Sequence, residues 1–224
     1  MHFLCLHGAG TNRDILELQT GGLCGKLEES GHKFTYVNGS QTAKVEDESF
    51  IGAHLTPPEL EGLVDGPFYN HYTRGASPGA TVLEAFDHTR RIIAAQKATG
   101  NPFDGVLGFS QGAALAASMI VHHSRTRPAE PPLFRVAVFI CGATPWDPTG
   151  LQHLERKEAP LIRIPTANIV GKLDPLYPES MKLADLCEPS KMSFHDHGMK
   201  HMVAFDVKNT EEMARVINEA VAKA

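Results

Sequence analysis

The stretch from Phe103 to His123 narrows the possible folds more than any other part of the chain. Phe103-Asp104-Gly105-Val106-Leu107-Gly108-Phe109 is a β-rich run, and Gln111 to His123 has the small and aliphatic side chains of a packed helix. Ser110 joins them, bracketed by Gly108 and Gly112. A chain that passes from strand to helix at one residue must turn sharply, and flanking glycines relieve the crowding. The serine hydroxyl then projects from the sheet beside a helix N-terminus, where free N–H groups favour developing negative charge. Ala113, Ala114, Ala116 and Ala117 let the helix lie close to the sheet. Ser110 is therefore the candidate nucleophile.

Similar alternation runs through the rest of the chain. Strands are expected at 2–6, 33–38, 105–109, 135–141, 167–170 and 192–195, and helices at about 14–30, 81–99, 111–123, 178–187 and 210–222. Strands alternating with helices predict an α/β fold of the α/β-hydrolase type, with a mostly parallel sheet of about six strands and helices on both faces. In such sheets reacting groups gather at the carboxyl ends of the strands. No internal repeat or linker divides residues 1–224, which read as one domain. Residues 39–79 break the rhythm with many glycines and prolines, and with Phe50, Phe68, Tyr69 and Tyr72. A long irregular insertion of this kind is expected to be a pocket wall or lid, with Phe68, Tyr69 and Tyr72 against substrate.

Composition narrows the partners. A formal charge of −5 offers nucleic acid or an anionic membrane no attraction, and no apolar run approaches the roughly 20 residues that span a bilayer. Cys5, Cys24, Cys141 and Cys187 are scattered without a Cys-x-x-Cys pair, the pattern of free thiols in a reducing, cytoplasmic setting.

Acyl transfer needs N–H groups aimed at the oxyanion. The residue after the nucleophile, Gln111, supplies one. His7-Gly8-Ala9-Gly10 follows the first strand and supplies the second through Ala9, with Gly10 as the alternative. His7 is expected to shape that loop rather than act as a base.

Chain order in this fold runs serine, acid, histidine. Asp174, in Val170-Gly171-Lys172-Leu173-Asp174 after a late strand, is the candidate acid, and Asp147 its rival. The base lies in His195-Asp196-His197-Gly198-Met199-Lys200-His201, with His201 preferred and His197 second. The two unused histidines are expected to be solvent-facing or hydrogen-bonded loop residues. A His-x-His pair with a third histidine could also hold zinc, but the further ligands of a metallohydrolase are missing, so neither metal nor cofactor is expected.

These pieces together resemble the small fungal serine-hydrolase family related to the human ovarian-cancer-associated serine hydrolase. The resemblance covers nearly the whole chain. It is carried by Leu6-His7-Gly8-Ala9-Gly10, Gly66-Pro67-Phe68-Tyr69-Asn70-His71-Tyr72, the run from Phe103 to Ala113, Ile164-Pro165-Thr166, Val170 to Asp174, and His201. It implies a Ser110–Asp174–His201 triad and a sheet that begins at the oxyanion strand. Within the family the chain is similar to thioesterases that release polyketides from fungal synthases. That implies a hydrophobic acyl thioester as substrate, with an acyl-carrier protein as possible partner in secondary metabolism. A small-molecule carboxylesterase, a triad-bearing cyclase or acyltransferase, and a non-catalytic ligand binder are the alternatives.

Overall fold

The computed structural model of the protein describes residues 1–43, 66–75 and 77–224. Phe50 and most of the expected wall or lid at 39–79 lie outside the described residues. In chain order the elements are β1 (His2–Leu6), α1 (Arg13–Glu28), β2 (Lys33–Val37), β3 (Gln41–Thr42), β4 (Tyr69–Asn70), α2 (Thr81–Ala98), β5 (Gly105–Phe109), α3 (Gln111–Thr126), β6 (Val136–Ile140), β7 (Thr166–Val170), α4 (Tyr177–Asp185), β8 (Met192–Asp196) and α5 (Val207–Ala222). A short 3₁₀ turn, Pro189–Lys191, precedes β8.

Six strands form one sheet in the order β2-β1-β5-β6-β7-β8, every neighbouring pair parallel. Side-chain alternation sends successive residues to opposite faces. Phe3, Cys5, Leu107, Phe109, Val138, Ile140 and Ile169 pack against Leu16, Leu23 and Leu27 of α1 and Met213, Val216 and Ile217 of α5. Leu4, Leu6, Val106, Ala137 and Phe139 face the other layer, with Val82 and Phe86 of α2, Leu115 and Met119 of α3, and Leu183 of α4. Both faces of the central strands are thus covered, which is why these strands are near-continuously apolar rather than alternating.

Helices α1 and α5 begin where their sequences cap them. The Asn12 side chain accepts the Ile15 N–H at 2.9 Å at the start of α1, and Asp206 accepts the Asn209 N–H at 3.0 Å at the start of α5. One ladder went unread in the sequence: β3 and β4 pair antiparallel over two residues each, too short to show a period. The chain moves outward from β1 to β2, then returns to place β5 on the other side of β1. That reversal opens a crevice at the carboxyl ends of β1 and β5.

Candidate active site

Ser110 stands at the end of β5 with φ 54° and ψ −114°, a conformation that side chains rarely adopt. The neighbouring glycines make it possible. A Cβ on Gly108 would meet the Ala113 Cα at 2.5 Å, and one on Gly112 would run into the Leu6 carbonyl oxygen. Only bare backbone lets α3 start this close to β1 and β5. The Ser110 N–H is secured by the Ile140 carbonyl at 3.0 Å.

Three loops converge on it. His201, in the loop after β8, places Nε2 3.0 Å from Ser110 Oγ and Nδ1 2.7 Å from Asp174 Oδ2. Its ring lies against Phe109 with centroids 5.0 Å apart, so the residue before the serine also seats the base. Asp174, in the loop after β7, has a fully buried side chain, and its Oδ1 accepts the Leu176 N–H at 2.7 Å. Each oxygen of the carboxylate therefore has its own donor. Serine, imidazole and carboxylate form one continuous chain, as the order of residues implied. Asp147 is elsewhere: Oδ1 accepts the Thr149 hydroxyl at 2.7 Å and closes a turn.

The other two histidines of that segment are both hydrogen-bonded, and only His197 is a loop residue. His195 lies within β8, and its Nε2 meets Asn209 Oδ1 at 2.9 Å. His197 is buried; its Nδ1 accepts the Met199 N–H at 3.1 Å, so Nε2 carries the proton and points at Cys141 Sγ, 3.4 Å away. Burial, and then the nearby His195, hold its imidazole below the usual range. Chain spacing could not foretell this, because the floor under His197 comes from β6 and from Gly171, where a Cβ would strike the ring at 2.5 Å.

Donor atoms of Cys141, Asp174 and His201 lie within 4.8 Å of one another, the one cluster among the described residues able to approach a metal ion. The donor chemistry fits poorly. His201 already holds Asp174 and Ser110 on its two nitrogens, and burial, then the Asp174 charge, push the Cys141 thiol up and away from the thiolate a metal prefers.

The first-strand loop is braced from several sides. Gly10 N–H donates to the Tyr69 carbonyl and to Asn70 Oδ1, at 2.9 and 2.8 Å. His7 Nε2 accepts the Gly39 N–H at 2.9 Å while Nδ1 donates to the Gly8 carbonyl at 2.6 Å, and burial pulls its pKa down to about 4. His71, stacked on His7, donates from Nε2 to the His7 carbonyl at 3.0 Å. Gly10 is thus already committed. Among the described residues, the main-chain N–H groups of Ala9 and Gln111 have no protein partner, and both residues border the cleft at Ser110.

That cleft holds about 340 Å³. Tyr72 lines it; Phe68 and Tyr69, expected beside it, do not border it among the described residues. Their main chains run as a strand instead: the Phe68 carbonyl accepts the Ala43 N–H at 2.8 Å, and the Tyr69 N–H donates to Thr11 at 2.7 Å. Only beyond Asn70 does the chain turn a ring inward. Another part of the wall, which sequence reasoning missed, is Trp146 tilted against His153 with centroids 3.7 Å apart, and Leu176. A lone tryptophan just past a strand's carboxyl end was the available signal.

A family described as "Serine hydrolase (FSH1)" matches residues 1–213. The chain is similar to esterase FPY3 of Fusarium mangiferae, 36% identical over 237 positions that cover 100% of this chain and 98% of that protein. It is 30% identical to hydrolase phiM of Talaromyces stipitatus over 93% of this chain and 82% of that one. Among solved structures, Arabidopsis thaliana SOBER1 superposes with a TM-score of 0.61 at 16% identity, covering 99% of both chains, a likeness of fold. No helix among the described residues is long and apolar enough to cross a membrane.

Proposed function

The chain belongs to the serine hydrolase (FSH1) family and carries that chemistry's nucleophile, base and acid in contact, and from this premise we propose that it is a thioesterase. Its substrate is a hydrophobic acyl group, of polyketide type, delivered as a thioester of an acyl carrier. The observation that carries the reading is the unbroken chain Ser110 Oγ–His201 Nε2, His201 Nδ1–Asp174 Oδ2, at 3.0 and 2.7 Å.

The steps follow from that chain. His201 Nε2 takes the Ser110 proton as Oγ attacks the carbonyl carbon, and buried Asp174 stabilises the imidazolium. The free N–H groups of Gln111 and Ala9 receive the oxyanion. His201 then protonates the departing thiolate. A water, deprotonated by the same nitrogen, hydrolyses the acyl-enzyme and restores Ser110.

Tyr72, Trp146 and Leu176 around the serine support an apolar acyl group. A second reading, carboxylesterase, is favoured by the similarity to a protein called an esterase. The two separate on matched substrates that share an acyl group and differ only in sulfur or oxygen at the leaving atom. A thioester kcat/KM at least about tenfold above that of the oxygen ester supports the proposal. Preference for the oxygen ester overturns it, and mass spectrometry of a cyclised or transferred product would assign the triad to a non-hydrolytic reaction.

A further inference from the structure

A second hollow adjoins the cleft at Ser110. Thr144, His153 and Lys182 border the cleft on one side and this hollow, of about 490 Å³, on the other. The geometry of α4 accounts for the join. Leu176, Glu179 and Lys182, three residues apart, face the first hollow, whereas Pro178, Met181 and Asp185 face the second. Lys182 touches both. The apolar part of the second hollow's lining is buried Leu154 and Leu186 with exposed Met181, and Glu155, Arg156 and Asp185 supply its charged part.

Charges sit on the rim in loose pairs. Lys182 Nζ lies 3.9 Å from Glu179, and Arg156 3.5 Å from Asp185, each pair with one partner well exposed. Exposed pairs of this kind contribute little to stability, so a ligand oxygen can take the place of the carboxylate beside Lys182 at small cost. The first hollow alone is at the lower limit of ligand pockets, which run from about 300 to 1,000 Å³. A long acyl chain anchored at Ser110 has to extend beyond it.

We propose that the second hollow is a distal acyl subsite, and that Lys182 at the junction donates a hydrogen bond to an oxygen carried by the chain as it passes. The substrate class is then an elongated acyl chain with an aliphatic far end and a keto or hydroxyl oxygen along its length. The proposal rests on the reading of Ser110 as an acyl-transfer nucleophile.

The test uses N-acetylcysteamine thioesters of butanoate, dodecanoate and dodecanoates bearing one mid-chain keto group. Met181→Trp fills the second hollow from a residue that does not border the first. The long-to-short ratio of kcat/KM should fall about tenfold or more. Because a ratio cancels the fraction of active enzyme, partial misfolding does not mimic this; Met181→Phe gives the same readout if the tryptophan variant is insoluble. In Lys182→Met the preference for the best keto substrate over plain dodecanoate should drop to about one. An unchanged long-to-short ratio in the Met181 variants, or a wild type that never favours the long chain, overturns the subsite while leaving the Ser110 reading intact. An unchanged keto preference in Lys182→Met overturns the junction hydrogen bond. Absence of Ser110-dependent turnover on any thioester or ester would defeat the function itself.

Discussion

The side-chain amide of Gln111 donates to the Tyr72 carbonyl at 2.9 Å and thereby ties the residue after the nucleophile to the wall of the cleft. Its Oε1 meanwhile accepts the His71 N–H at 2.8 Å, so one amide spans Tyr72 and the residue before it. Gln111→Ala keeps the main-chain N–H at Ser110 but releases both bonds in a buried place. KM should rise about fivefold or more with a smaller change in kcat, and stability should fall by about 1–3 kcal/mol. Steady-state kinetics with urea unfolding measure both; an unaltered KM would show that Tyr72 holds its position without the clamp.

Ser110→Ala should reduce kcat by about 10⁴-fold or more and abolish labelling by a fluorophosphonate. Backbone strain adds a second readout. At φ 54° a Cβ is unfavourable and glycine is not, so Ser110→Gly should be about 1 kcal/mol more stable than Ser110→Ala. Equal unfolding midpoints would mean that the turn is unstrained.

For Asp174→Asn the Leu176 N–H decides the outcome. That N–H needs an acceptor where Oδ1 now stands, so the amide oxygen turns there and the NH₂ faces His201 Nδ1. The imidazole is then driven into the tautomer protonated on Nε2, which cannot accept the Ser110 proton. A loss of about 10⁴ in kcat follows, with substrate affinity little changed. A loss below tenfold would point to a different acid.

His7 links the oxyanion loop to pH. Burial lowers its pKa in the folded protein to about 4, whereas the unfolded chain binds that proton near the usual 6.5. Between these values the unfolded state holds more protons, so stability is full above about pH 6.5 and declines as pH falls towards 4, by up to roughly 3 kcal/mol. Buried His71, depressed likewise by burial and by His7, acts in the same direction. Urea midpoints from pH 7 to 5 should fall, and His7→Asn should flatten the slope. The same slope in that variant would exclude His7 as its source.

Gly112→Ala inserts a methyl group where the Leu6 carbonyl already lies. Because the obstacle is backbone of a central strand, no side chain can give way, and a loss of about 3 kcal/mol or more is expected. Gly22, with open space around its position in α1, is the control: Gly22→Ala should be neutral or stabilising by up to about 1 kcal/mol. Thermal midpoints of the two variants compare them directly.

Much of the architecture was readable in the sequence because it depends on neighbours along the chain. Strand β5 ends where Gly108-Phe109-Ser110 requires it, and α3 starts at Gln111. Helix α5 was expected from Thr210 but begins at Val207, because its cap is Asp206, four residues before Thr210. The pairing of Tyr69 with Thr11 had no such signature: it joins segments whose own residues show no periodicity.

The candidate site divides in the same way. Ser110, its glycines and the helix N-terminus beside it are determined by the sequence itself, since steric crowding at a strand-to-helix turn acts over five residues. Which histidine serves Ser110 was decided only by tertiary structure. His197 and His201 share a loop, yet His197 turns beneath the sheet's end onto Cys141, whereas His201, 91 residues beyond Ser110 in the chain, is carried by β8 and seated by Phe109 within 3.0 Å of the hydroxyl. Packing from β5, β6 and β7 chooses between them, and none of those contacts is visible in the order of residues from 195 to 201.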